Sequence, residues 1–515
     1  AEDAGRYRDA LGIPLPPGLP AAYLEASEAP LEALILRWAS THGPFLAGPL
    51  VERFGLPIGV IESILRNLES MDQLLRGDIR PGGTQTEWCH PEVLRRLRRR
   101  SLAALRSEVA PVEAEVYARF LMGWHGIGGR KTSMNRLQEV LDQLEGVPVP
   151  YSMLETQILP ARIPDFRPAM LDELGASGAV VWIGHGPLGP RDGKVALYRR
   201  ERVPLLMLLK SVIPKGMLDA DSDPTAVLRS RIHQHLLERG ASFMVELQRA
   251  TGNPSTAEFN GALWDLVWAG LITNDTFQPL RGVNKKVSKN ARRANWTAGG
   301  RWSLVAELIG DEPNETASAH ARAMLLLDRY GIASREGAKA DGLDGGFSAV
   351  YPVLRAMEES GRCRRGWFVE GLTGAQFALP GAVDRLRACR TPSNDVVVLA
   401  ATDPANPWGS LLSWPDSVDD GKPRRVAGAK VICVGGAPVL YEQKGGKSLV
   451  TFPTSEPEHL SLAIGALVAD RGTGFRTIRL DKIDGVPAHR SPHAPLFVAA
   501  GFAEDYKGLE RVRQR

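Results

Sequence analysis

The sequence predicts an α+β fold, in which small helical modules closed by β-hairpins precede a region of short strands. One arrangement of helices and hairpin recurs along roughly the first 390 residues, and after Thr391 short β-rich runs are separated by Gly and Pro. A hydrophobic content of 43% and a charged content of 24% are ordinary for a protein that builds apolar cores.

The recurring arrangement is clearest in residues 31–90. The predicted helices LEALILRWAST, AGPLVERFG and IGVIESILRNLE are followed by two extended runs around a Pro-Gly-Gly turn. In the third helix, Ile61, Ile64, Leu65 and Leu68 recur at helical spacing and form one apolar face. Three helices closed by a hairpin are typical of a winged helix, a variant of the helix-turn-helix.

The arrangement recurs three more times. A looser copy spans about 109–200, where VVWIGHG and KVALYRR flank an Asp-Gly turn. Another spans 226–279, where Ser255 and Glu258 predict a capping box at the start of the third helix and LITNDTF is the wing. The last spans 316–380, where Phe347, Val350, Leu354 and Met357 mark the third helix and RCRRGWFVEGLTGAQFAL is the hairpin. The runs DVVVLAA, AKVICVGG, PVLYEQ and KSLVTF then suit a small barrel or sandwich, before a final alternation of helix, strand and helix.

We therefore predict a tandem array of winged-helix domains followed by a small β-barrel module. The predicted domains are 1–108, a winged helix with a linker helix; 109–220, a winged-helix-like domain; 221–310, a winged helix with a basic loop; 311–390, a fourth winged helix; and 391–515, the β-barrel module with an α/β C-terminal tail.

Composition restricts the function classes. The net charge of +4 means that any affinity for nucleic acid must come from local basic patches. The four cysteines form no CxxC pair, which excludes a zinc ribbon and suggests reduced thiols in a cytoplasmic protein. No apolar run approaches the roughly 18 residues of a membrane span, and the histidines offer no metal-ligand set. The opening AEDAGRYRDALG, without initiator Met or signal region, suggests a fragment.

Two glycine-rich motifs invite a phosphate-binding interpretation. The run KGGKS at 444–448 has Tyr441 where a P-loop requires Gly, and a strand follows it, so it predicts a hairpin turn. The run GIGG at 126–129 leads through Arg130 and Lys131 into a predicted helix. Contact of these two cations with a phosphate at the helix N-terminus and a plain interhelix loop both remain open. No nucleophile–base pair can be assembled from spacing.

The stretch from Thr276 to Ala306 has no acidic residue and contains seven cations, with Trp296 and Trp302 interleaved. Cations supply phosphate contacts, and an exposed Trp stacks on an unpaired base for about 1–3 kcal/mol. A solvated basic linker is the alternative. The wing near Trp367 has the same character. The predicted DNA-binding residues are Arg281, Lys285, Lys286, Lys289, Arg292, Arg293, Trp296, Arg301, Arg130, Lys131, Arg364 and Arg365.

The segment EVLRRLRRRSLAALR at 92–106 carries its apolar residues at roughly helical spacing, with arginines between them. We interpret it as a helix that links two modules and packs its apolar stripe between them. Its arginines either face DNA or pair with acids such as Glu108, Glu113 and Glu115.

Three segments carry a family resemblance. LAATDPANPWGSLLSWP (399–415), EWCHPEVLRRLRRRSLAALRSEVAPVEAEVYARFLMGWHGIG (87–128) and IDGVPAHRSPHAPLFVAAGF (483–502) resemble the C-terminal region of the bacterial large helicase-related proteins, Lhr. The resemblance implies DNA repair, because full-length Lhr proteins are ATP-dependent 3′-to-5′ helicases. Their motor, with its ATP and Mg²⁺, lies in an N-terminal half whose Walker motifs have no match here. The implied partners are the helicase core, single-stranded or junction DNA, and further copies of the chain.

The same region is similar to AlkZ-type DNA glycosylases, which excise damaged or crosslinked bases, and uracil excision is attributed to it. Those enzymes use a Gln-x-Gln or Gln-x-Asp motif, whereas the nearest sequence here is Gln85-Thr86-Glu87. A lone carboxylate such as Asp484 or Asp505 is the remaining candidate for activating water, although Asp484-Gly485 is typical of a turn. Three functions therefore remain: a DNA-positioning module, a glycosylase and an oligomerisation scaffold.

Overall fold

The computed structural model describes residues 3–80, 85–97, 99–100, 110–130, 132–207, 216–219, 223–284, 299–310, 314–416, 423–452, 457–472 and 477–512. The chain forms two compact units, Ala1–Ala110 and Pro111–Arg515. Within the described residues, no helix is both long enough and apolar enough to cross a membrane.

The first unit is the winged helix predicted for 31–90, preceded by a short helix. Its helices and strands are Ala4–Leu11, the 3₁₀ turn Ala21–Tyr23, Pro30–Ala39, Ala47–Phe54, Ile58–Ser70, β1 (Leu75–Gly77) and β2 (Glu87–Cys89). Strands β1 and β2 pair antiparallel, and Phe45 bridges to the buried Trp88. The predicted apolar face of the third helix packs into this core, with Ile61, Leu65 and Leu68 buried.

The arginine-rich segment begins as a helix over residues 91–97. Val93 is buried, but Leu97 is 39% exposed, so the predicted apolar stripe packs only in part. Arg95 pairs with Glu92 on the same helix, and Arg96 reaches the Ser40 carbonyl at 3.4 Å. Residues 101–106 lie outside the described part of the chain.

The second unit opens with the second module. Its elements are the helices Ala114–Trp124, Met134–Leu144, Tyr151–Met153, Pro168–Ala176 and Val203–Leu206, the π-helical turn Leu154–Ile158, the 3₁₀ turn Arg200–Arg202, and strands β3 (Val149–Pro150), β4 (Val180–Pro187) and β5 (Gly193–Arg199). Strands β4 and β5 form the predicted hairpin across the Asp192-Gly193 turn, in the order β3-β5-β4.

The third module shares its apolar core with the second, since Trp182 and Phe259 belong to one buried cluster. Its elements are the helices Pro224–Arg239, Met244–Ala250, Thr256–Trp268, Gln278–Asn284 and Val305–Ile309, with β6 (Ser242–Phe243), β7 (Ile272–Asn274) and β8 (Arg301–Leu304). Ser255 and Glu258 form the predicted capping box. The prediction that LITNDTF alone forms the wing is wrong, because the partner of β7 is β8, beyond the basic segment.

The fourth module contains the helices Glu315–Tyr330, Arg335–Ala340, Gly346–Glu359 and Pro380–Ala388, and strands β9 (Ile332–Ala333), β10 (Arg364–Gly366) and β11 (Gln376–Ala378). Its strands are ordered β10-β11-β9, so the predicted wing is the β10–β11 hairpin. Val350, Leu354 and Met357 of the third helix enter the core as predicted. Helix Ala114–Trp124 packs into this same core.

The C-terminal region contains β12 (Val396–Ala400), β13 (Lys430–Val434), β14 (Ala437–Glu442), β15 (Ser448–Thr451), helix Pro457–Gly472, β16 (Thr477–Leu480), β17 (Lys482–Ile483), β18 (Val486–Pro487), the 3₁₀ turn Ala488–Arg490, helix Ala494–Ala499, β19 (Ala503–Asp505) and β20 (Gly508–Val512). Six strands form one sheet, β12-β13-β14-β15-β17-β18, and three form another, β16-β20-β19. Over the described strands neither sheet closes into a barrel, so the predicted β-barrel is not confirmed. KGGKS is the β14–β15 turn, as predicted.

Candidate nucleic-acid interface and a cationic pocket

The wing of the fourth module presents an aromatic ring and two arginines to solvent. Trp367, the first residue after β10, is 63% exposed. Arg364 is exposed, and within the described residues it has no carboxylate partner. Arg365 pairs with Glu358 at 3.4 Å, and both side chains reach solvent, so this surface pair is weak. An exposed aromatic ring beside exposed cations can stack on an unpaired base and contact its phosphate.

A buried amide holds the wing loop in place. The Gln376 side-chain oxygen accepts hydrogen bonds from the backbone N–H groups of Phe368 and Val369, each at 2.9 Å, and its Nε2 donates to the Val369 carbonyl at 2.9 Å. The backbone of Val112 adds two further bonds of 2.8 Å to the loop. Because these bonds fix the residues after Trp367, the ring stays at the surface instead of folding into the core.

Arg130 is also accessible. It lies in the exposed loop before helix Met134–Leu144, and no carboxylate of the described residues pairs with it. The helix N-terminus itself is capped by Ser133, whose hydroxyl accepts from the Arg136 N–H at 3.0 Å. One of the four free N–H groups of the first turn is thus already satisfied. Lys131 lies outside the described residues.

Arg281, which is predicted to contact DNA, is paired with two carboxylates of the protein. Its guanidinium donates to Glu155 at 2.6 Å and to Asp172 at 2.8 Å, and only 22% of the side chain is exposed. Burial opposes the charge, but the hydrogen bonds to the two carboxylates raise the pKa of Arg281 further above its ordinary value. With both acids bound, this cation stabilises the packing of the second module on the third.

Arg301 and Trp302, which follow the basic segment on β8, differ in their exposure to solvent. Arg301 pairs with Asp275 at 3.1 Å and stays 57% exposed, so it remains accessible to a phosphate. Trp302 is completely buried, with its ring packed edge-on against Trp182 and Trp264 at 6.4 and 6.2 Å. The expectation that Trp302 stacks on a base is therefore wrong. Its alternation on β8 directs it into the core.

Six predicted DNA-binding residues of the basic segment, five cations and one tryptophan, lie outside the described part of the chain: Lys285, Lys286, Lys289, Arg292, Arg293 and Trp296. Their place in the chain is informative all the same. Residues 285–298 belong to the connection between the paired strands β7 and β8. That is the position of the wing in a winged helix.

The second unit also contains a pocket of about 500 Å³. Its apolar walls include Pro148, Leu188 and Leu411, and its polar lining includes the carboxylate of Asp341 and three cations, Lys194, Arg425 and Lys444. The volume lies in the range of roughly 300–1,000 Å³ that is usual for small-molecule sites. Sequence reasoning missed this pocket, because its lining comes from segments between residues 147 and 444.

Two arginines hold the pocket loop 402–411, which lies within the 399–415 segment. Arg425 donates to four of its backbone carbonyls, those of Thr402, Asp403, Asn406 and Trp408, at 2.6–3.3 Å. The fully buried Arg162 binds both carboxylate oxygens of Asp403, at 2.6 and 2.8 Å. Burial disfavours the Asp403 charge, but the adjacent Arg162 guanidinium keeps the pKa of Asp403 below its ordinary value.

His125 completes this buried cluster. Its Nδ1 lies 3.2 Å from the Arg162 guanidinium, and the ring is completely buried. Burial, reinforced by the charge of Arg162, lowers the pKa of His125 well below its ordinary value, so the ring is neutral and Nδ1 accepts. His125 and Asp403 come from two of the segments that carry the family resemblance. The cluster therefore gives those distant segments a common structural role.

Of the two candidate catalytic carboxylates, Asp484 lies in a turn and Asp505 at the end of a strand. Asp484 has φ 50° in the β17–β18 turn, as its Asp-Gly pair predicts. Its carboxylate accepts from the Thr451 N–H at 2.6 Å and the Thr451 hydroxyl at 2.7 Å. Asp505 ends β19 and accepts from the Tyr506 N–H at 2.8 Å. Among the described residues no three His, Cys, Asp or Glu side chains are grouped to hold a metal ion.

Comparison with known proteins identifies several parts of the chain. Models of the winged-helix domains of the large helicase-related protein match residues 312–397 (fourth domain), 112–200 (third domain) and 1–26 (second domain). The Streptomyces sahachiroi DNA glycosylase AlkZ is a structural neighbour, with a TM-score of 0.45 and 16% sequence identity, covering 73% of this chain and 100% of AlkZ.

Two curated relatives match along almost the whole chain. The "Lhr helicase/ probable uracil glycosylase" of Mycolicibacterium smegmatis (strain ATCC 700084 / mc(2)155) is 38% identical over 547 residues, and the "Lhr helicase/uracil glycosylase" of Escherichia coli (strain K12) is 36% identical over 564. Each alignment covers 99% of this chain and 35% of the relative, so the chain spans about a third of their length. The chain is therefore related to the large helicase-related (Lhr) proteins and carries their winged-helix domains.

Proposed function

We propose that this chain is a DNA-binding module that grips single-stranded or junction DNA through its wings. In a complete Lhr protein it would be the non-motor part of an ATP-dependent 3′-to-5′ DNA repair helicase, and it would position DNA for the motor. The observation that carries the proposal is the braced wing of the fourth module, where Trp367 is 63% exposed beside Arg364. Burying such a ring would stabilise a core, so its exposure favours a partner.

The basic residues between β7 and β8 in the sequence are the second proposed point of DNA contact. These six predicted contact residues, five cations and one tryptophan, lie between strands that are hydrogen-bonded to each other. Wings contact the DNA backbone next to the helix-turn-helix, and cations placed there release counterions when they meet phosphates. Arg130 and Arg301 are further accessible cations of the second unit.

The test is a salt series of binding to single-stranded and duplex oligonucleotides, followed by fluorescence anisotropy. Two variants remove the wings separately, R364A/R365A/W367A and K285A/K286A/R292A/R293A. Each neutralised phosphate contributes about 0.9 to the slope of log K against log salt on duplex DNA. We therefore expect both variants to bind more weakly and with shallower slopes.

The matched control is Arg355→Ala. Arg355 lies on helix Gly346–Glu359 of the same module and pairs with Glu359 in solvent. It should leave both affinity and slope unchanged. Trp367→Ala alone should weaken single-strand binding about 5- to 150-fold, which corresponds to roughly 1–3 kcal/mol of lost stacking. If neither DNA binds to the wild type at low salt, the proposal fails.

We propose base excision as a second function, because the names of both curated relatives include uracil glycosylase. The pocket of the second unit supports it, since an excised base must leave the stack and enter a cavity. No catalytic residue is assigned, and the Gln-x-Gln motif of AlkZ-type enzymes is absent from the sequence. The test is release of uracil from a labelled oligonucleotide without ATP, read as strand cleavage after hot alkali. An intact strand after prolonged incubation would exclude it.

A further inference from the structure

The pocket of about 500 Å³ has a composition that restricts its ligand. Pro148, Leu188 and Leu411 offer apolar surface against which a ring can pack. Lys194 and Lys444 belong to the lining and are solvent-exposed. Neither has a carboxylate partner among the described residues, so both are available to an anion. A planar ring joined to an anionic group is the chemistry of a nucleotide.

The interior offers hydrogen-bond acceptors. Tyr330 donates its hydroxyl proton to one Asp341 oxygen at 2.6 Å, and Arg329 pairs with the other oxygen. A carboxylate has about four lone-pair sites, so Asp341 can still accept from a ligand N–H. Thr402 belongs to the same lining, but its hydroxyl is shielded from solvent, so Asp341 is the acceptor that the pocket offers to a ligand.

The pocket wall is also rigid. Loop 402–411 is held by Arg425 and by the buried Arg162–Asp403 pair, and the Asn406 side chain bonds to the Ala401 carbonyl at 3.1 Å. A preorganised wall lowers the entropic cost of binding a small ring. The site is therefore formed before a ligand arrives.

We propose that this pocket receives a single nucleobase everted from a DNA strand. Asp341 contacts the polar edge of the base, while Lys194 and Lys444 hold the flanking phosphates. The inference rests on the proposed DNA-binding function and adds a specific site to it. Eversion costs a few kcal/mol, least for a mispaired base, so a mispaired duplex is the appropriate probe.

The decisive variant is Ala340→Trp. Ala340 lines the pocket and is exposed at the end of helix Arg335–Ala340, so a bulky ring there fills the cavity without disturbing the buried core. Lys339→Trp is the matched control, because it places the same ring on the neighbouring exposed residue, which is not part of the lining. Neither substitution removes a polar group of the pocket.

The probe is a duplex with 2-aminopurine next to a mispaired 2′-fluoro-deoxyuridine, which resists loss of its base. 2-Aminopurine emission rises when its neighbour leaves the stack, and anisotropy reports DNA binding in the same sample. We expect a severalfold rise with wild type and K339W, and loss of the rise with A340W at an affinity within about twofold of wild type. An equal rise with A340W, or binding without any rise in wild type, overturns the inference. Absence of binding in the anisotropy overturns the proposed function itself.

Two further measurements test the role of the two lysines and the possibility that the ligand is a free nucleotide. K194A/K444A should bind the mispaired duplex with a salt slope shallower by about 2, whereas Lys447→Ala, an exposed lysine that lies 3.8 Å from Asp481, should leave the slope unchanged. Deoxyuridine monophosphate alone tests for a free nucleotide as ligand. If it binds wild type but not A340W, and the duplex gives no rise, the pocket serves free nucleotides and the everted base is excluded.

Discussion

The buried Arg162–Asp403 pair provides the sharpest test of how the second unit is held together. The structure shows the Arg162 side chain as 0% exposed and that of Asp403 as 1% exposed, joined by two hydrogen bonds. Arg162 has further contacts with the Ile158 carbonyl and His125, and Asp403 accepts from the Ala405 N–H at 2.7 Å. Removing either partner leaves a buried charge that lacks its counter-charge.

The perturbation is a double-mutant cycle of Arg162→Met, Asp403→Asn and the two together. Breaking a buried pair from one side costs about 3–5 kcal/mol of unfolding free energy. Asp403→Asn keeps the side-chain shape and the hydrogen bond from the Ala405 N–H. Its loss of unfolding free energy should therefore lie near the lower limit of that range. In the double variant neither charge remains, so we expect its loss to be smaller than the sum of the single losses by about 1.5 kcal/mol or more.

The assay is urea unfolding at pH 7.5, followed by tryptophan fluorescence and circular dichroism, with linear extrapolation to water. The cycle compares shifts in midpoint at constant slope. Additive losses would refute the reasoning, because two side chains that do not interact contribute independently. Single losses below about 1 kcal/mol would also refute it, since they would mean that water reaches the remaining charge.

Four further measurements test the same structure: three concern the stability of the chain, and one concerns its molecular mass in solution. Because burial lowers the pKa of His125 from its ordinary 6.5, the unfolded chain binds more protons, and stability should fall below about pH 6.5 by up to roughly 1.4 kcal/mol per pH unit. H125Q should flatten that slope in urea titrations, and an unchanged slope would contradict a buried neutral ring. G184A should cost about 1–3 kcal/mol, because a Cβ on Gly184 would overlap the Val267 carbonyl, whereas an unshifted midpoint would mean that the backbones separate freely. R281A should lose about 2 kcal/mol with an unchanged DNA salt slope, and a shallower slope would return Arg281 to the DNA interface. An oligomerisation scaffold must show an integer multiple of the monomer mass in light scattering, and a monomeric mass would exclude that third function.

The predictions that rested on local patterns agree best with the structure. The capping box of Ser255 and Glu258, the β4–β5 hairpin and the KGGKS turn depend on residues close in sequence, and each appears where the pattern indicated. Turn and cap chemistry is local, so neighbouring residues suffice to determine it. The wing of the third module was placed wrongly, because its second strand lies beyond a long basic segment.

The predicted DNA-binding residues also show the difference between local pattern and tertiary contact. Composition marked Arg364, Arg281 and Trp302 alike, but of these three only Arg364 is exposed without a carboxylate partner among the described residues. Charge and aromaticity cannot distinguish a solvent-exposed side chain from one paired or buried by distant segments. Arg281 meets Glu155 and Asp172 more than 100 residues away, and Trp302 packs on Trp182.

By itself the sequence determined the winged-helix modules, the family resemblance and the basic segments, because helical periodicity, turn residues and charge runs are all local. Tertiary structure alone decided which cations remain free, and it alone assembled the pocket and the His125–Arg162–Asp403 cluster. Asp403 lies 241 residues from Arg162. Contacts across such distances depend on how the modules pack, and no periodicity in the chain records that packing.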